Sequence, residues 1–212
     1  MNIADIRKEY ILQSLSENDI ETDPILQFNK WWNQAIESNI EEVNAMTLAT
    51  VNKEGMPSAR IVLLKGFDSN GFVFFTNYLS KKGTDLEINP KACIVFFWKE
   101  LERQVRVEGI VNKINESESD EYFQSRPTIS KIGAWASPQS QEITSRESLE
   151  NKFKEYESEF KDGNIKRPDH WGGFRLNPNK IEFWQGRPGR LHDRIEYAKS
   201  SENNWKAVRL AP

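Results

Sequence analysis

The chain has 212 residues, and its formal net charge of −3 and pI of about 5.6 exclude the strongly basic surface of a nucleic-acid-binding protein. The single cysteine, Cys93, lies in an apolar run, so no disulfide can form within the chain and a reducing, cytoplasmic setting is expected. The apolar runs are of strand length and the N-terminus lacks a signal-peptide core, so we expect a soluble protein with no membrane span.

The first forty residues predict two helices. Residues 2–15 have the charge distribution of a loosely amphipathic helix. Asp23 and Pro24 are typical of a helix start, and apolar residues at helical spacing extend this second helix to about Ser38. After it, apolar runs separated by turns that end in glycine predict an antiparallel meander of strands over 45–51, 59–67 and 72–76.

The rest of the chain continues with short helices and strands. We predict helices over 80–89, 117–126 and 145–160. We predict strands over 92–98, 104–114, 172–176, 180–185, 192–198 and 205–210. No repeat or linker interrupts this order, so the sequence predicts one domain, residues 1–212, built on an antiparallel β-barrel with helices packed against it.

Several familiar catalytic motifs are absent from the sequence. It has no Gly-rich dinucleotide loop, no Walker-type phosphate loop and no Gly-x-Ser-x-Gly nucleophile motif. It has two histidines and no cluster of cysteines or carboxylates with ligand spacing, so we expect no metal site. Because neighbours in a strand point to opposite faces, His192 and Asp193 do not predict a catalytic triad, and His170 is interpreted as a capping or surface residue.

The stretch that ends at Arg194 gives the first indication of a ligand site. In a strand, Arg190, His192 and Arg194 would project from one face, entered through Trp184. Arginine recognises phosphate through two parallel hydrogen bonds and the indole offers a flat wall, so the pattern predicts a cradle for an aromatic anion. The alternative is a solvated strand face with salt bridges.

Further cationic residues lie at element ends. Arg60 and Lys65 flank an apolar strand, and their spacing of five places them on opposite faces. Either only one of them reaches the site, or a bulge or strand end redirects the other. Lys81 and Lys82 begin a predicted helix, where backbone N–H groups favour a phosphate; solvated lysines are the alternative.

A second anion-binding group is predicted near the break at Pro127. Tyr122 and Arg126 are four residues apart and share a helix face, and Ser130 follows the break. A phenol, a guanidinium and a hydroxyl that converge at a helix end suit a second phosphate. Packing of the Tyr–Arg pair alone is the other interpretation.

Ordered blocks along nearly the whole chain resemble one family, the pyridoxamine 5′-phosphate oxidases. They are RIVLLK at 60–65, FTN at 75–77, LERQV at 101–105, YFQSRP at 122–127, IGAW at 132–135, QS at 139–140, WGGFR at 171–175, IEFWQG at 181–186, RLHDR at 190–194 and RLAP at 209–212. Each block is short, but their order along the chain makes the combination specific. The resemblance implies a mainly β, antiparallel FMN-binding split β-barrel that works as a homodimer, with two sites built across the subunit interface.

The resemblance also implies site residues by position. FMN would be bound from one subunit by Arg60, Ile61, Val62, Leu63, Leu64, Lys65, Phe75, Thr76, Lys81, Lys82 and Gln104. From the other subunit it would be reached by Gln139, Ser140, Trp184 and Arg194. The substrate would be held by Lys65, Tyr122, Arg126 and Ser130, and across the interface by the candidate catalytic residues Arg190 and His192. Arg7 and Tyr10 would belong to a mobile segment, 1–20, that closes over the substrate, and strands within 172–212 would complete the site.

Two residues depart from the family pattern. Phe75 stands where many relatives have tyrosine, and Lys81 stands where arginine is common. The first loses a hydroxyl and the second replaces a planar fork by a point charge. We expect an altered FMN affinity and no loss of activity.

The implied reaction is FMN-dependent oxidation of pyridoxamine 5′-phosphate and pyridoxine 5′-phosphate to pyridoxal 5′-phosphate, with oxygen as electron acceptor and hydrogen peroxide as product. Two phosphate-bearing ligands would explain two cationic groups in an acidic protein. Three alternatives stay open: a split-barrel flavin oxidoreductase with another substrate, a non-catalytic flavin- or B6-binding protein, and a dimeric structural protein.

Overall fold

The framework of the protein is an antiparallel sheet of nine strands within residues 2–6 and 8–212, which are the residues that the computed structural model describes. The strands are β1 Ala45–Val51, β2 Pro57–Leu63, β3 Gly66–Asp68, β4 Gly71–Asn77, β5 Lys91–Trp98, β6 Arg103–Lys113, β7 Trp171–Gln185, β8 Asp193–Lys199 and β9 Trp205–Leu210. Their order is β2-β1-β5-β6-β7-β4-β3, with β8 paired to β7 and β9 to β8. The predicted mainly antiparallel β class is confirmed.

Strand β7 is the longest and connects three other strands. It pairs with β6 over most of its 15 residues, while its first part also pairs with β4 and its last part with β8. The sequence predicted two strands here, 172–176 and 180–185. Pro178 between them lies at a register shift opposite Gly109, and a bulge there lets the strand continue although proline has no N–H to donate.

Five α-helices in the described part of the chain pack around the sheet. They are α1 Pro24–Glu37, α2 Lys81–Ile88, α3 Glu116–Ser125, α4 Thr128–Ala136 and α5 Arg146–Glu159. Asp23 caps α1 by accepting hydrogen bonds from two backbone N–H groups, and Ser80 caps α2. Helix α4 was not predicted, since Pro127 precedes it and no side chain caps it. None of the described helices is long and apolar enough to cross a membrane.

The predicted helix over 2–15 is wrong. Apart from a 3-10 turn at Ile3–Asp5, the described part of this segment has no regular helix. The backbone N–H groups of Ile11 and Leu12 donate to the Glu102 carboxylate, and that of Leu15 donates to Asp193. These acceptors lie far along the chain, and they take the place of the carbonyl groups that a helix would supply.

The main core is aromatic and centres on Phe28 of α1. Its fully buried ring lies 4.8 to 6.1 Å, centroid to centroid, from the rings of Phe67, Phe72, Phe96 and Trp98. A smaller apolar cluster joins α3, α4 and β7. Much of the aromatic content therefore serves packing, and the smaller cluster fixes the helices that border the candidate site.

We expect Phe28→Ala to lower the free energy of unfolding by about 3–5 kcal/mol, because it leaves a cavity where several rings meet. Leu26→Ala in the same helix is the matched control: Leu26 is 57% exposed, and its truncation should change stability by only about 0.5 kcal/mol. Urea unfolding of both variants measures the difference. Similar losses in the two proteins would contradict the assignment of Phe28 as the centre of the core.

Candidate functional site

A cavity of about 1020 Å³ lies between strands β2 and β4 and helices α2, α3 and α4. Ligand pockets commonly measure about 300–1,000 Å³, so this one has room for more than one small molecule. It brings together most residues predicted for the site: Arg60, Ile61, Val62, Leu63, Lys65, Phe75, Thr76, Lys81, Lys82, Tyr122, Arg126, Ser130, Gln139 and Ser140. The cations predicted around Arg60–Lys65, at Lys81 and Lys82, and near Pro127 thus share one cavity.

The end of β2 explains how Arg60 and Lys65 both reach this cavity. The predicted strand over 59–67 is interrupted, because β2 stops at Leu63 and β3 starts at Gly66. Leu64 turns into the core and is 4% exposed, so it packs there and does not line the cavity. Of the two possibilities left by the sequence, a strand end redirects Lys65 into the site.

Buried polar residues hold the cations at one end of the cavity. The Arg60 guanidinium donates from Nη1 to Thr50 Oγ1 at 2.7 Å, and the Thr50 hydroxyl donates to Asp85 Oδ2 at 2.8 Å. Lys81 Nζ lies 3.4 Å from the same carboxylate. Thr50 and Asp85 are buried and were not singled out from the sequence, since β1 and α2 bring them together only in the fold. Their network fixes Arg60 and Lys81 beside the cavity.

Lys82 adds a second, less compensated positive charge. Its Nζ donates to Thr76 Oγ1 at 3.0 Å and to Gln139 Oε1 at 3.1 Å, both of which are neutral groups. Burial lowers the pKa of Lys82, and the charge of Arg60 lowers it further. The negative charge of a bound anion would stabilise protonated Lys82 and so offset both effects. This end of the cavity therefore suits a phosphate.

Gln139 and Ser140 were predicted to reach the site from the other subunit. In the structure they line the cavity of their own chain, and Gln139 bonds directly to Lys82. The turn that follows helix α4 brings them there, and this helix was not predicted from the sequence. Both residues therefore belong to the cavity of their own chain, and their approach to FMN from the other subunit stays a prediction.

The opposite wall of the cavity is aromatic and carries a cation. The Phe75 and Tyr122 rings stack at 3.9 Å between centroids, and Trp171 lies 5.5 Å from Phe75. The Arg126 guanidinium lies 4.5 Å from the Trp171 ring, and burial lowers its pKa. Its Nη1 is buried and has no hydrogen-bond partner among residues 2–6 and 8–212. An oxygen atom of an anion in the cavity would satisfy this donor.

A second cavity, of about 520 Å³, contains Arg190 and His192, the candidate catalytic residues. Tyr10, Arg190 and His192 line it, together with Lys8 and Arg187. Arg7 was predicted here as well, but it lies outside the described residues.

The sequence predicted that Arg190, His192 and Arg194 share one strand face. In the structure they do not. A 3-10 turn at Pro188–Arg190 precedes β8, which starts only at Asp193. The Pro-Gly pair favours this turn, and Arg190 itself has a positive φ of 61°. The cradle is thus formed by a turn, and Arg194 is separated from it.

Trp184, Gln104 and Arg194 are cross-strand neighbours on β7, β6 and β8, and none of them lines the first cavity. Arg194 forms a two-point ion pair with buried Glu182, at 2.9 and 3.1 Å. Burial opposes ionisation of Glu182, but its bonds to Arg194 and Arg106 lower its pKa overall. Glu182 was missed from the sequence, although its position two before Trp184 places both on one strand face.

His192 is held in one tautomer. Its Nδ1 accepts a hydrogen bond from the Arg187 backbone N–H at 3.1 Å, so the neutral ring carries its proton on Nε2. The ring lies 4.6 Å from Trp184. Burial and the charge of Arg190 lower the pKa of His192 below its ordinary value of 6.5. Both effects favour the neutral ring, which offers an N–H donor at Nε2.

The chain is similar to known proteins over nearly its whole length. The family model for pyridoxamine 5′-phosphate oxidase matches residues 33–159, and the model for the pyridoxine 5′-phosphate oxidase C-terminal dimerisation region matches residues 171–212. A pyridoxine/pyridoxamine 5′-phosphate oxidase of Cupriavidus metallidurans is 55% identical over 99% of both chains. One from Trichormus variabilis is 54% identical over 99% of this chain and 98% of its own.

Solved structures show the same fold. PhzG from Burkholderia lata, in complex with tetrahydrophenazine-1-carboxylic acid, has a TM-score of 0.89 and 30% identity, covering 95% of this chain and 99% of its own. An FMN-binding protein of Nostoc punctiforme, related to pyridoxamine 5′-phosphate oxidase, has a TM-score of 0.69 and 16% identity, covering 94% and 100% of the two chains. The predicted split-barrel fold is confirmed.

Arg190→Gln is expected to raise the pKa of His192, because it removes a positive charge that disfavours the protonated ring. Proton NMR titration of the imidazole signals measures the change, and a His170→Gln background leaves His192 as the single histidine. Lys154→Gln, an exposed cation on α5, is the matched control and should leave the His192 titration unchanged. An unaltered or lower pKa of His192 in Arg190→Gln would contradict the electrostatic interaction between the two residues.

Proposed function

The chain belongs to the pyridoxine/pyridoxamine 5′-phosphate oxidase family, and we propose that it oxidises pyridoxamine 5′-phosphate and pyridoxine 5′-phosphate to pyridoxal 5′-phosphate with FMN. Oxygen is the electron acceptor and hydrogen peroxide the second product. One observation carries the proposal. The first cavity holds two cationic groups, the Arg60–Lys82 end and the Arg126 wall, so it offers one anion site for each of two phosphates.

FMN fits the end of the cavity formed by Arg60, Lys81 and Lys82. The donors present are the ones a phosphate monoester needs, and in the described part of the chain Lys82 bonds to neutral oxygen atoms and forms no ion pair with a carboxylate. Thr76 and Gln139, which already bond to Lys82, would lie beside the same group. Phe75 and the residues of β2 would border the rest of the cofactor.

The proposal requires a homodimer. Trp184 and Arg194 lie outside the first cavity of their own chain, so in this proposal they contact FMN from a second copy. Gln104 lies outside this cavity too, and it stays assigned to the subunit that supplies Arg60, as the resemblance implies. Trp184 and Arg194 belong to the matched dimerisation region, and Glu182 holds the Arg194 guanidinium in a fixed orientation. On the same reasoning, the second cavity of one subunit would face the first cavity of its partner.

The proposal treats residues 1–212 as one domain. Strand β7, in the C-terminal matched region, hydrogen-bonds to β6 and β4 of the N-terminal region, so the two regions share one sheet. We also place the protein in the cytoplasm, where Cys93 stays reduced. Burial raises the pKa of that thiol to about 11, with a smaller effect from Glu108, so it is not a catalytic nucleophile.

The substrate phosphate would be bound by Lys65, Tyr122, Arg126 and Ser130. The unpaired Nη1 of Arg126 supplies the central donor, and Lys65 Nζ lies 5.9 Å from the centre of the Tyr122 ring. The rings of Phe75, Tyr122 and Trp171 lie nearly parallel and give this side of the cavity an apolar surface. That surface suits the flat ring of a pyridine and limits the access of water.

Bound FMN would supply the chemistry of hydride acceptance and reoxidation by oxygen, which no side chain of the protein provides. The protein supplies position. His192 would donate a hydrogen bond from Nε2 to the substrate, because its Nδ1 already accepts one from the Arg187 N–H. Arg190, beside it, offers a charged fork to the same ligand. Correct orientation of reactants can lower a barrier by about 7–11 kcal/mol, so these two residues act mainly by orienting the substrate.

Oxidation of another reduced aromatic acid is the second candidate, because PhzG has the same fold at 30% identity and its structure contains such a ligand. The Tyr122, Arg126 and Ser130 group favours a phosphorylated substrate instead.

The visible spectrum of the FMN-loaded protein tests the proposal. Under anaerobic conditions, pyridoxamine 5′-phosphate should bleach the flavin band, and air should restore it. A flavin band that ignores this substrate but bleaches with a dihydrophenazine carboxylate would favour the second candidate. A band that responds to neither would indicate a carrier, and failure to bind FMN would refute the cofactor assignment.

Arg190→Ala should lower turnover about 100-fold, since loss of substrate orientation has effects of this size. The FMN dissociation constant should change less than about threefold, because Arg190 lines the second cavity and not the first. Arg146→Ala, an exposed cation on α5, is the control and should leave both quantities unchanged. Equal losses of turnover and FMN affinity would contradict the assigned role.

A further inference from the structure

We propose that Glu102 is a positioning residue that anchors the N-terminal segment, defined as residues 8–17, and so holds Tyr10 at the edge of the second cavity. The block LERQV at 101–105 is one of those shared with the family, and the proposed function assigns a role only to its Gln104. Glu102 has no place in that reaction. The substrate named in the test rests on the proposed function, whereas the anchoring itself does not.

The Glu102 carboxylate is buried and is bound by donors of this segment. Its side chain is only 1% exposed. Oε2 accepts from the backbone N–H of Ile11 at 2.9 Å and of Leu12 at 3.1 Å, and Oε1 lies 3.1 Å from Lys8 Nζ. A buried carboxylate is costly unless such donors compensate it. The ionised group and the segment therefore stabilise each other.

The backbone directs this side chain toward the segment. Glu102 has the left-handed conformation, φ 54° and ψ 40°, just before β6, which is unfavourable for a residue other than glycine. Its carbonyl accepts from the Gly186 N–H at 2.8 Å and from Gln185 Nε2 at 3.3 Å. The turn is thus fastened to the end of β7. One residue joins the segment to the strand that carries Trp184.

Anchoring determines where Tyr10 lies. Its ring meets Trp184 edge to face, with centroids 5.7 Å apart, and lies 6.0 Å from His192. The ring also rests on the backbone of Gly186, where an added Cβ would come within 2.7 Å of Tyr10. Tyr10 is followed directly by the two residues that Glu102 holds. The anchor therefore fixes the phenol against residues proposed to contact FMN and substrate.

Other contacts fasten the later part of the segment. The Arg103 guanidinium donates to the Gln13 side chain, Asp193 accepts from Leu15 N–H at 3.0 Å, and Arg209 pairs with Glu17 at 2.7 Å. These contacts stay when Glu102 is changed. Loss of the Glu102 carboxylate should therefore release residues 8–12 alone.

The test compares Glu102→Gln with Glu100→Gln, an exposed carboxylate in the adjacent 3-10 turn. The amide keeps the size of Glu102 and one oxygen for the Ile11 and Leu12 N–H groups, but it loses the charge that strengthens these bonds and sets an NH2 group against Lys8. Hydrogen exchange of the Ile11 and Leu12 amides, measured on the full-length FMN-loaded protein, should become about tenfold faster in Glu102→Gln. It should stay unchanged in Glu100→Gln, and the amides of α1 should be unaffected in both.

The second measurement is steady-state oxidation of pyridoxamine 5′-phosphate. In Glu102→Gln, KM should rise about tenfold, while kcat and the FMN dissociation constant stay within about twofold, because only binding contacts are released. Glu102→Asp keeps the charge on a shorter side chain, so its KM should lie between that of the unaltered protein and that of Glu102→Gln. Lys8→Met removes one donor without touching the turn before β6, and should raise KM by about threefold.

Each other outcome overturns a defined part of the proposal. Unchanged hydrogen exchange in Glu102→Gln would refute the anchor. Faster exchange with an unchanged KM would refute the role of Tyr10 at the site. A loss of FMN affinity in Glu102→Gln that parallels the rise in KM would show a purely structural role. The same conclusion would follow if Glu102→Gln fails to fold and Lys8→Met leaves KM unchanged. If the unaltered protein itself fails to oxidise the substrate, the proposed function fails and the exchange data still decide the anchor.

Discussion

The hydrogen bonding of β7 to three neighbouring strands is the constraint on which both cavities depend. At its start, Trp171 packs against Arg126 of the first cavity, and near its end Trp184 packs against His192, which lines the second. The strand is held by β4 and β6 at one end and by β6 and β8 at the other. Because this pairing is continuous through the bulge at Pro178, the two halves of the site keep a fixed relation within each subunit.

Local signals predicted the framework well. Strands β1 and β9 have the predicted bounds, and α1 begins at the predicted Pro24, because alternation and helix capping depend on near neighbours in the sequence. The N-terminal segment was mispredicted because the acceptors of its N–H groups, Glu102 and Asp193, lie some ninety or more residues away. No local pattern contains that information.

The candidate site was predicted as a set of residues rather than as an arrangement. Fourteen of the predicted residues line one cavity, but Leu64 faces the core and Arg194 lies apart from Arg190 and His192. Cations are visible in a sequence as charges near element ends. Thr50, Asp85 and Glu182, the buried groups that orient them, look like ordinary strand and helix residues until the fold pairs them.

The partial burial of Cys93 has a consequence for the durability of the protein. An enzyme of the proposed kind releases hydrogen peroxide, which oxidises cysteine through its thiolate form. A thiol pKa of about 11 leaves only about one thiolate in ten thousand molecules at pH 7. Cys93 is the single cysteine of the chain, and Glu108 lies opposite it on β6. The sheet thus keeps the one thiol chemically quiet beside a source of oxidant.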